Sequence, residues 1–507
     1  MTTWDDELGR RSAGPQRHRL LQGYPMLPLM RPAVEARRGA FMERRVDGEL
    51  RLVPMPHLSG EQQEEHREAS EPAWVQPDAS RPLLVGVLPH SQCNPRVEGC
   101  GFCTFPHDPF DKQLLRVSAC TVVDQIGAFF GAEPEMKKRR VDAVYFGGAT
   151  ANLTPAANLT AIGEALGRHL DLRGAELTLE GIPSLFRSLL RGPFEALLDM
   201  PARHRRLSMG VQTFDEAALG RMGRQGFGDV KDIAKVIAKA HRKEMTVSGD
   251  FLINLPSEPR AQMLADVGRA ASLGFDQICV YHLVLVEGQG TPWAEDAAMM
   301  AALPSAEEAC AHWLAVREAL LARGYVQTTL TNFERAELQA TDRRFVYEEH
   351  SFTPERYDAL GFGPFAISTF TDPARRRAVK LMRGKSIRES SSWNAGDLFF
   401  PYAEEDLRLL FLTRNLARLR VDRATYRGLF GADLGAHFGE ALEAVEAAGL
   451  ATLSDASLSL TPRGMFHADA VAGLLAWPRV EALRARGGGR RTRDLLKEKP
   501  GFPDFMG

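Results

Sequence analysis

Three of the six cysteines in this 507-residue chain stand close together, at Cys93, Cys100 and Cys103. Clustered thiols in a chain with so few cysteines indicate metal binding or catalysis before they indicate disulfides. Three cysteines with no fourth nearby suit an iron-sulfur cluster that leaves one iron open to an external ligand. Two alternatives stay open: zinc in a Cys3His site with His90 or His107 as fourth ligand, and a purely structural thiol cluster.

Glycine and polar residues stand at the ends of the candidate strands that follow the cysteines. Glycine lets the backbone approach a ligand closely, and a carboxylate or amide buried in a strand costs free energy unless it is paired. Ligand contacts could satisfy these groups; the alternatives are an ordinary tight turn and local hydrogen bonds inside the sheet. The residues are Gly147, Gly148, Ala149 and Thr150 after the second strand, Glu180 at the third, Gln212 at the fourth and Asp250 within the fifth.

Short apolar runs alternate with amphipathic helical patterns from residue 81 onward, which is typical of βα units and a parallel sheet. After the first unit these runs recur every ~30 to 40 residues, the length of a repeated βα module. We therefore predict an α/β protein with a partial (β/α)6 barrel, whose chemistry lies at the carboxyl ends of its strands. The six predicted strands are Leu83 to Leu88, Val141 to Phe146, Glu176 to Glu180, Leu207 to Gln212, Val247 to Leu255 and Ile278 to Leu285.

Changes in composition along the chain predict five segments. Arginine pairs and prolines mark residues 1–80 as an N-terminal extension, and a basic, glycine-rich run leads into a tail over 486–507. Between them we predict the barrel over 81–300, and a barrel-completing or substrate-covering region over 301–400 with a glycine-rich turn over Gly361-Phe-Gly-Pro364. A small α+β unit over 401–485 has a winged-helix-like order of helices and hairpin, but its acidic residues argue against DNA binding.

The charge balance gives no reason to expect a polyanionic partner. The 63 basic and 65 acidic side chains nearly cancel, so no strong field attracts nucleic acid. No stretch approaches the roughly 18 apolar residues of a membrane helix, and the early acids Asp5, Asp6 and Glu7 are unlike a signal peptide. We expect a cytoplasmic protein with no nucleic-acid or membrane partner.

The chain resembles the radical S-adenosylmethionine (SAM) family of oxygen-independent coproporphyrinogen III oxidase. That family includes heme chaperones, heme-degrading methyltransferases, and the class C methyltransferases and cyclopropanases of natural-product pathways. The resemblance runs from about Val85 to Leu475. It rests on the cysteine loop, Phe146-Gly-Gly-Ala-Thr150, Glu176-Leu-Thr-Leu-Glu180, Ser208-Met-Gly-Val-Gln212, Gly223-Arg224, Asp250-Phe-Leu-Ile-Asn-Leu-Pro256, Tyr281, Gly290-Thr-Pro292, Leu360-Gly-Phe-Gly363, Gly449-Leu450 and Leu460-Thr461.

This resemblance implies a radical SAM barrel whose three cysteines hold a [4Fe-4S] cluster, with SAM on the open iron. The reduced cluster would cleave SAM to a 5′-deoxyadenosyl radical, and an electron donor such as flavodoxin or ferredoxin would re-reduce the cluster. A second SAM molecule would suit radical methylation or cyclopropanation of an sp2 carbon. The implied SAM contacts are Gln212, Arg224 and Asp250, with Gly147, Gly148, Ala149 and Thr150 close by, Glu180 near a second SAM, and Glu180 and Tyr281 as candidate catalytic residues.

Departures from the family pattern narrow the choice of reaction. Six residues separate Cys93 from Cys100, where the family usually has three. A tyrosine and a histidine that precede the first cysteine in the oxidase are replaced by Val87 and Pro89, and Phe105 replaces a fourth cysteine. These losses favour radical methylation or carbon-carbon bond formation on an unsaturated small molecule. An oxidase-like oxidoreductase and a heme chaperone are the alternatives.

Overall fold

The structure is a computed structural model that describes residues 3–13, 40–44, 50–54, 78, 80–93, 100–103, 105, 107–187, 192–285, 290–374, 376–384 and 398–486. Its first helix is α1 (Trp4–Ser12), followed by a hairpin of β1 (Ala40–Arg44) and β2 (Leu50–Pro54). The other described strands form a sheet of twelve and a sheet of three.

Six parallel strands form the centre of the large sheet, and each is hydrogen-bonded to the next in chain order. Each coincides with one predicted strand, so the expected α/β fold with a partial barrel is confirmed. Most of their side chains are buried, because helices and the barrel interior cover both faces of the sheet. The strands are β3 (Leu83–Val87), β4 (Val141–Phe146), β5 (Glu176–Gly181), β6 (His204–Gln212), β7 (Thr246–Ile253) and β8 (Gln277–His282).

Helices connect these strands and pack against the sheet. The clearest amphipathic helix is α7 (Val230–His241). At its start Asp229 accepts a hydrogen bond from the amide of Asp232, and Ile233 and Val236 are buried in the core. The helices are α2 (Lys112–Ala132), α3 (Ala156–Gly167), α4 (Pro183–Phe186), α5 (Pro193–Asp199), α6 (Glu216–Arg221), α7 (Val230–His241) and α8 (Arg260–Leu273), with 3-10 turns at Pro134–Lys138 and Ala151–Leu153.

Among the described residues, α2 is the one helix long and apolar enough to cross a membrane. Its side chains Val122, Ile126 and Phe129 are buried, and the Phe129 ring lies 5.8 Å from that of Phe362 in an edge-to-face contact. This packing makes α2 a core helix of the barrel.

Further strands extend the sheet on both sides. Antiparallel strands β10 and β9 follow β8, while on the other side β11 pairs parallel with β3 and is followed by β12, β13 and β14. Since β9 and β14 lie at opposite ends of this order, the sheet is open. The elements are α9 (Ala297–Ala301), α10 (Ala306–Leu321), β9 (Tyr325–Gln327), β10 (Asn332–Arg335), the 3-10 turn Ala336–Leu338, α11 (Val346–Ser351), β11 (Asp358–Phe362), β12 (Ile367–Asp372), β13 (Arg377–Met382) and β14 (Leu398–Tyr402).

The turn predicted over Gly361-Phe-Gly-Pro364 is present but begins two residues later than expected, because Gly361 still lies inside β11. A Cβ at this position would lie 2.5 Å from the carbonyl oxygen of Ile367, so the close approach of the next strand requires glycine. The chain turns two residues later, at Gly363, whose φ of 94° is a left-handed conformation.

The carboxyl-terminal elements form a compact α+β unit around a sheet of order β15-β17-β16. The first helix of the chain docks here: the Trp4 and Trp477 rings meet edge-to-face at 5.2 Å, and Leu8 is buried. The boundaries predicted after residues 300 and 400 fall within α9 and β14, and residues 487–507 lie outside the described ones. The elements are α12 (Glu404–Ala417), β15 (Arg420–Asp422), α13 (Arg423–Phe430), α14 (Leu434–Ala447), β16 (Ala451–Leu453), β17 (Ser457–Leu460), α15 (Pro462–Phe466) and α16 (Ala468–Arg486).

Candidate functional site

The carboxyl ends of the barrel strands surround a cavity of about 330 Å³. Its lining contains every residue predicted for the site except Gly147, whose amide donates to the carbonyl of Val87 at 3.0 Å. A Cβ at Gly147 would lie 2.4 Å from the Tyr145 ring, so its small size serves packing beneath the cavity. The lining residues are Cys93, Cys100, Phe102, Cys103, Phe105, His107, Gly148, Ala149, Thr150, Glu180, Gly181, Ile182, Gly210, Gln212, Arg224, Phe227, Asp250 and Tyr281.

The three cysteines reach the cavity from the segment that follows β3. Cys103 donates its amide to the carbonyl of Cys100 at 2.9 Å, which turns the chain between them. Burial, followed by the neighbouring thiols of Cys103 and Cys100, raises the pKa of Cys93 to about 12. A buried thiol with so high a pKa beside two further thiols fits a cationic metal group, because such a group stabilises thiolates.

The cysteine segment is tied to two neighbouring elements through Gln92, which is completely buried. The side-chain oxygen of Gln92 accepts a hydrogen bond from the amide of Asp111, the residue before α2, at 2.9 Å. Its carbonyl accepts the amide of Thr150 at 3.3 Å. Cys93 is therefore held beside the loop that follows β4.

The contacts of the two candidate histidines do not favour a zinc site. His90 is fully buried and outside the cavity lining; its Nδ1 accepts the amide of Gln92 at 3.1 Å, and burial lowers its pKa to about 4. His107 lines the cavity. Within the described ranges, however, no three His, Cys, Asp or Glu side chains converge closely enough to hold a single ion. A cluster spreads its thiolates over separate irons and needs a wider spacing.

Gln212 is held in a strained position at the end of β6. Its φ is 73°, and the pairing of β6 with β7 shifts register between Gly210 and Gln212. Its side-chain oxygen is buried and finds no hydrogen-bond partner within the described part of the chain. A buried, unpaired acceptor on a strained residue is typical of a ligand-binding position, because a ligand donor would compensate both costs.

Arg224 follows α6 and reaches the cavity from the side of the cysteines. Its Nη1 donates to the Sγ of Cys100 at 3.2 Å, and its Nη2 donates to the carbonyl of Gly210 at 2.6 Å. The guanidinium also lies over the ring of Phe227, with 4.3 Å from Cζ to the ring centroid. The residue predicted to contact SAM therefore contacts one of the candidate cluster ligands.

Glu180 and Asp250 place carboxylates on the side of the cavity formed by β5 and β7. One oxygen of Glu180 accepts hydrogen bonds from the Tyr145 hydroxyl at 3.3 Å and from the amide of Gly148 at 3.4 Å. Tyr145 is half-buried beneath them; its removal from water, with the negative charges of Glu180 and Asp250, raises its pKa well above the usual value. Tyr145 therefore stays a neutral donor that positions Glu180.

Aromatic residues to which the sequence analysis assigned no binding role complete the lining. Phe102 packs edge-to-face on Trp293, and Phe105 on Phe365, each at 5.8 Å between centroids. With Phe227 and Ile182 they give much of the cavity an apolar surface. An aromatic residue in a loop is ordinarily explained by core packing, so its nearness to the cysteines was the one available signal.

The comparisons with known proteins agree with this geometry. The HemN C-terminal domain family matches residues 416–467. The heme chaperone HemW of Lactococcus lactis is 25% identical over 236 residues, 46% of this chain and 58% of that protein. The structure of coproporphyrinogen III oxidase (HemN) from Escherichia coli superposes with a TM-score of 0.63 at 18% identity, covering 78% of this chain and 91% of that one. The chain therefore carries a segment similar to the HemN C-terminal domain and shares the fold of HemN.

Relatives of this HemN-like chain are named for different functions. A bovine mitochondrial radical S-adenosyl methionine domain-containing protein 1 is 26% identical over 323 residues, 62% of this chain and 67% of that protein. The structural relative is named as an oxidase and the Lactococcus relative as a heme chaperone. The structural likeness to HemN therefore shows the fold, and the reaction has to be argued from the site.

Proposed function

We propose that this HemN-like chain is a radical SAM enzyme that holds a [4Fe-4S] cluster on Cys93, Cys100 and Cys103. The supporting observation is that residues from five separate strand ends line one cavity together with these three thiols. When bound and reduced, the cluster supplies the electron that cleaves SAM. We place the chain in the cytoplasm, with a flavodoxin or ferredoxin as electron donor.

The chain's own residues would bind and orient SAM. The unpaired side-chain oxygen of Gln212 accepts a hydrogen bond from a SAM donor, and Asp250 offers a carboxylate on the adjacent strand. Ala149, with a φ of 39°, and Thr150 bring backbone close to the cysteines. The aromatic lining excludes water, which strengthens these polar contacts and protects a radical from side reactions.

For the reaction itself we propose radical methylation or carbon-carbon bond formation on an unsaturated small molecule, with one or two SAM molecules bound. Arg224 is the only arginine or lysine among the described lining residues, and Cys100 and Gly210 already occupy two of its nitrogens. Glu180 and Asp250 add negative charge. The negative charges of a porphyrinogen with several carboxylates would find few cationic partners in this cavity. A cationic second SAM or a neutral substrate suits the charge distribution of the lining better.

The second candidate function is heme binding by a chaperone. It is favoured by HemW relatives in two bacteria, the Lactococcus protein and an Escherichia coli protein that is 23% identical over 354 residues. Hemin titration followed by absorbance tests it. Stoichiometric hemin binding with no substrate-dependent SAM consumption would favour the chaperone over the enzyme.

Anaerobic reconstitution with iron, sulfide, reductant and SAM separates the candidate reactions. S-adenosylhomocysteine formed together with 5′-deoxyadenosine supports methyl transfer, while 5′-deoxyadenosine and methionine alone would remove it. Cys93→Ala should abolish SAM cleavage. Cys120→Ala is the matched control, because Cys120 is an exposed cysteine on α2 outside the cavity lining. Equal loss in both variants would contradict the assignment of the cluster ligands.

A further inference from the structure

The guanidinium of Arg224 is built into a fixed position beside one cysteine sulfur. The amide of Arg224 donates to the carbonyl of Leu219 at 2.8 Å, and Gly223 turns the chain with a φ of 69°. The side chain is 7% exposed although it carries a full charge. Burying a charge is costly unless neighbouring groups compensate it, so the contacts at its tip are the reason it can stay there.

Three contacts orient the guanidinium plane. They are the Cys100 sulfur, the Gly210 carbonyl and the Phe227 ring. The absence of a side chain at Gly210 makes this approach possible, because a Cβ there would come within 3.2 Å of the Arg224 Nη2. The same Arg224 charge also acts on the Cys93 thiol, where it favours the thiolate.

From this geometry we propose that Arg224 sets the reduction potential of the bound cluster by donating a hydrogen bond to the Cys100 sulfur. The inference rests on the proposed function and goes beyond it, because it gives Arg224 a role toward the cluster besides the SAM contact that the resemblance implies. On reduction the cluster gains one electron from an external one-electron donor, and no bond to the protein forms or breaks. A cationic donor at a ligand sulfur stabilises the more negative, reduced state and raises the potential.

An EPR-monitored redox titration of the reconstituted protein without SAM tests the proposal. In Arg224→Gln we expect the reduced-to-oxidised ratio at the wild-type midpoint to fall about tenfold, which is a downward shift of about 59 mV for a one-electron couple. Arg224→Lys should shift the midpoint less, since it keeps the charge and loses the planar fork. The matched control is Arg221→Gln, an exposed arginine three positions earlier, which should leave the midpoint unchanged.

Gly210→Ala provides a second variant that keeps the arginine and moves its tip. The added methyl group would lie 3.2 Å from the Nη2 of Arg224 and from the Nε2 of Gln212, so the guanidinium should shift slightly and the midpoint should fall by less than in Arg224→Gln. A wild-type midpoint in both Arg224→Gln and Gly210→Ala, with only SAM affinity reduced, would overturn the proposal and return Arg224 to SAM. Failure of the proposed function looks different, because wild-type protein would then show no reducible cluster at all.

Discussion

Asp358→Asn should weaken the contact between β3 of the barrel and β11, the strand that pairs with it. Asp358 in β11 pairs with Arg81 at 3.1 Å and with Arg139 at 2.7 Å, and its side chain is 1% exposed. Removing one partner of a buried ion pair typically costs about 3 to 5 kcal/mol, since it leaves uncompensated charge. Arg81 keeps hydrogen bonds to the carbonyls of Pro354 and Tyr357, so we expect the lower end, about 3 kcal/mol.

Urea unfolding followed by circular dichroism measures this change as an earlier barrel transition. Asp171→Asn is the matched control, because its partner Arg173 and Asp171 itself are both exposed; that variant should unfold like the wild type. The cysteine segment directly follows β3, so Asp358→Asn should also lower the amount of iron bound after reconstitution. A wild-type urea midpoint in Asp358→Asn would refute the claim that this buried cluster holds β11 on β3.

Three further predictions follow from single residues. Gln212→Ala should weaken SAM binding to the reconstituted protein roughly tenfold to a hundredfold, as expected for one hydrogen bond to a charged ligand, and unchanged affinity in equilibrium dialysis would argue against it. Burial raises the pKa of Glu258 to about 8, so the folded state favours its protonated form. The contribution of Glu258 to stability should be full below pH 4.5 and be lost as pH rises toward 8, so Glu258→Gln should lose less stability than the wild type in thermal melts over this pH window. Gly363→Ala should strongly destabilise the folded protein, because its Cβ would lie 1.9 Å from the carbonyl oxygen of Leu88 at a left-handed φ. The control Gly439→Ala on α14 has open space around its Cβ and should be neutral or stabilising. Equal melting temperatures for the two variants would contradict this prediction.

The sequence predicts the barrel well because its strands are buried on both faces. Runs such as Val141–Phe146 and Thr246–Ile253 are apolar enough to stand out without knowledge of their neighbours. Where the turn at Gly361-Phe-Gly-Pro364 begins is harder to predict. Two glycines and a proline together are typical of a turn, but the first glycine still belongs to β11 and lets β12 approach, a requirement set by another strand.

In the candidate site, too, the sequence predicts some features, and others depend on contacts between distant parts of the chain. The carboxyl ends of parallel strands meet at one edge of a sheet, so the sequence alone predicts that Glu180, Gln212 and Asp250 lie close together. The contact between Arg224 and Cys100 joins residues far apart in sequence, and neither residue type indicates the other as partner. The strained φ of Gln212 likewise depends on the register between two strands.

The most direct test of the account is the metal content and Mössbauer spectrum of protein purified and reconstituted without oxygen. We predict iron and sulfide in equal amounts, the spectrum of a [4Fe-4S] cluster, and a change in the EPR signal of the reduced cluster when SAM is added. Colourless protein with tightly bound zinc, or a cluster that persists when Cys93, Cys100 and Cys103 are all replaced by alanine, would contradict it.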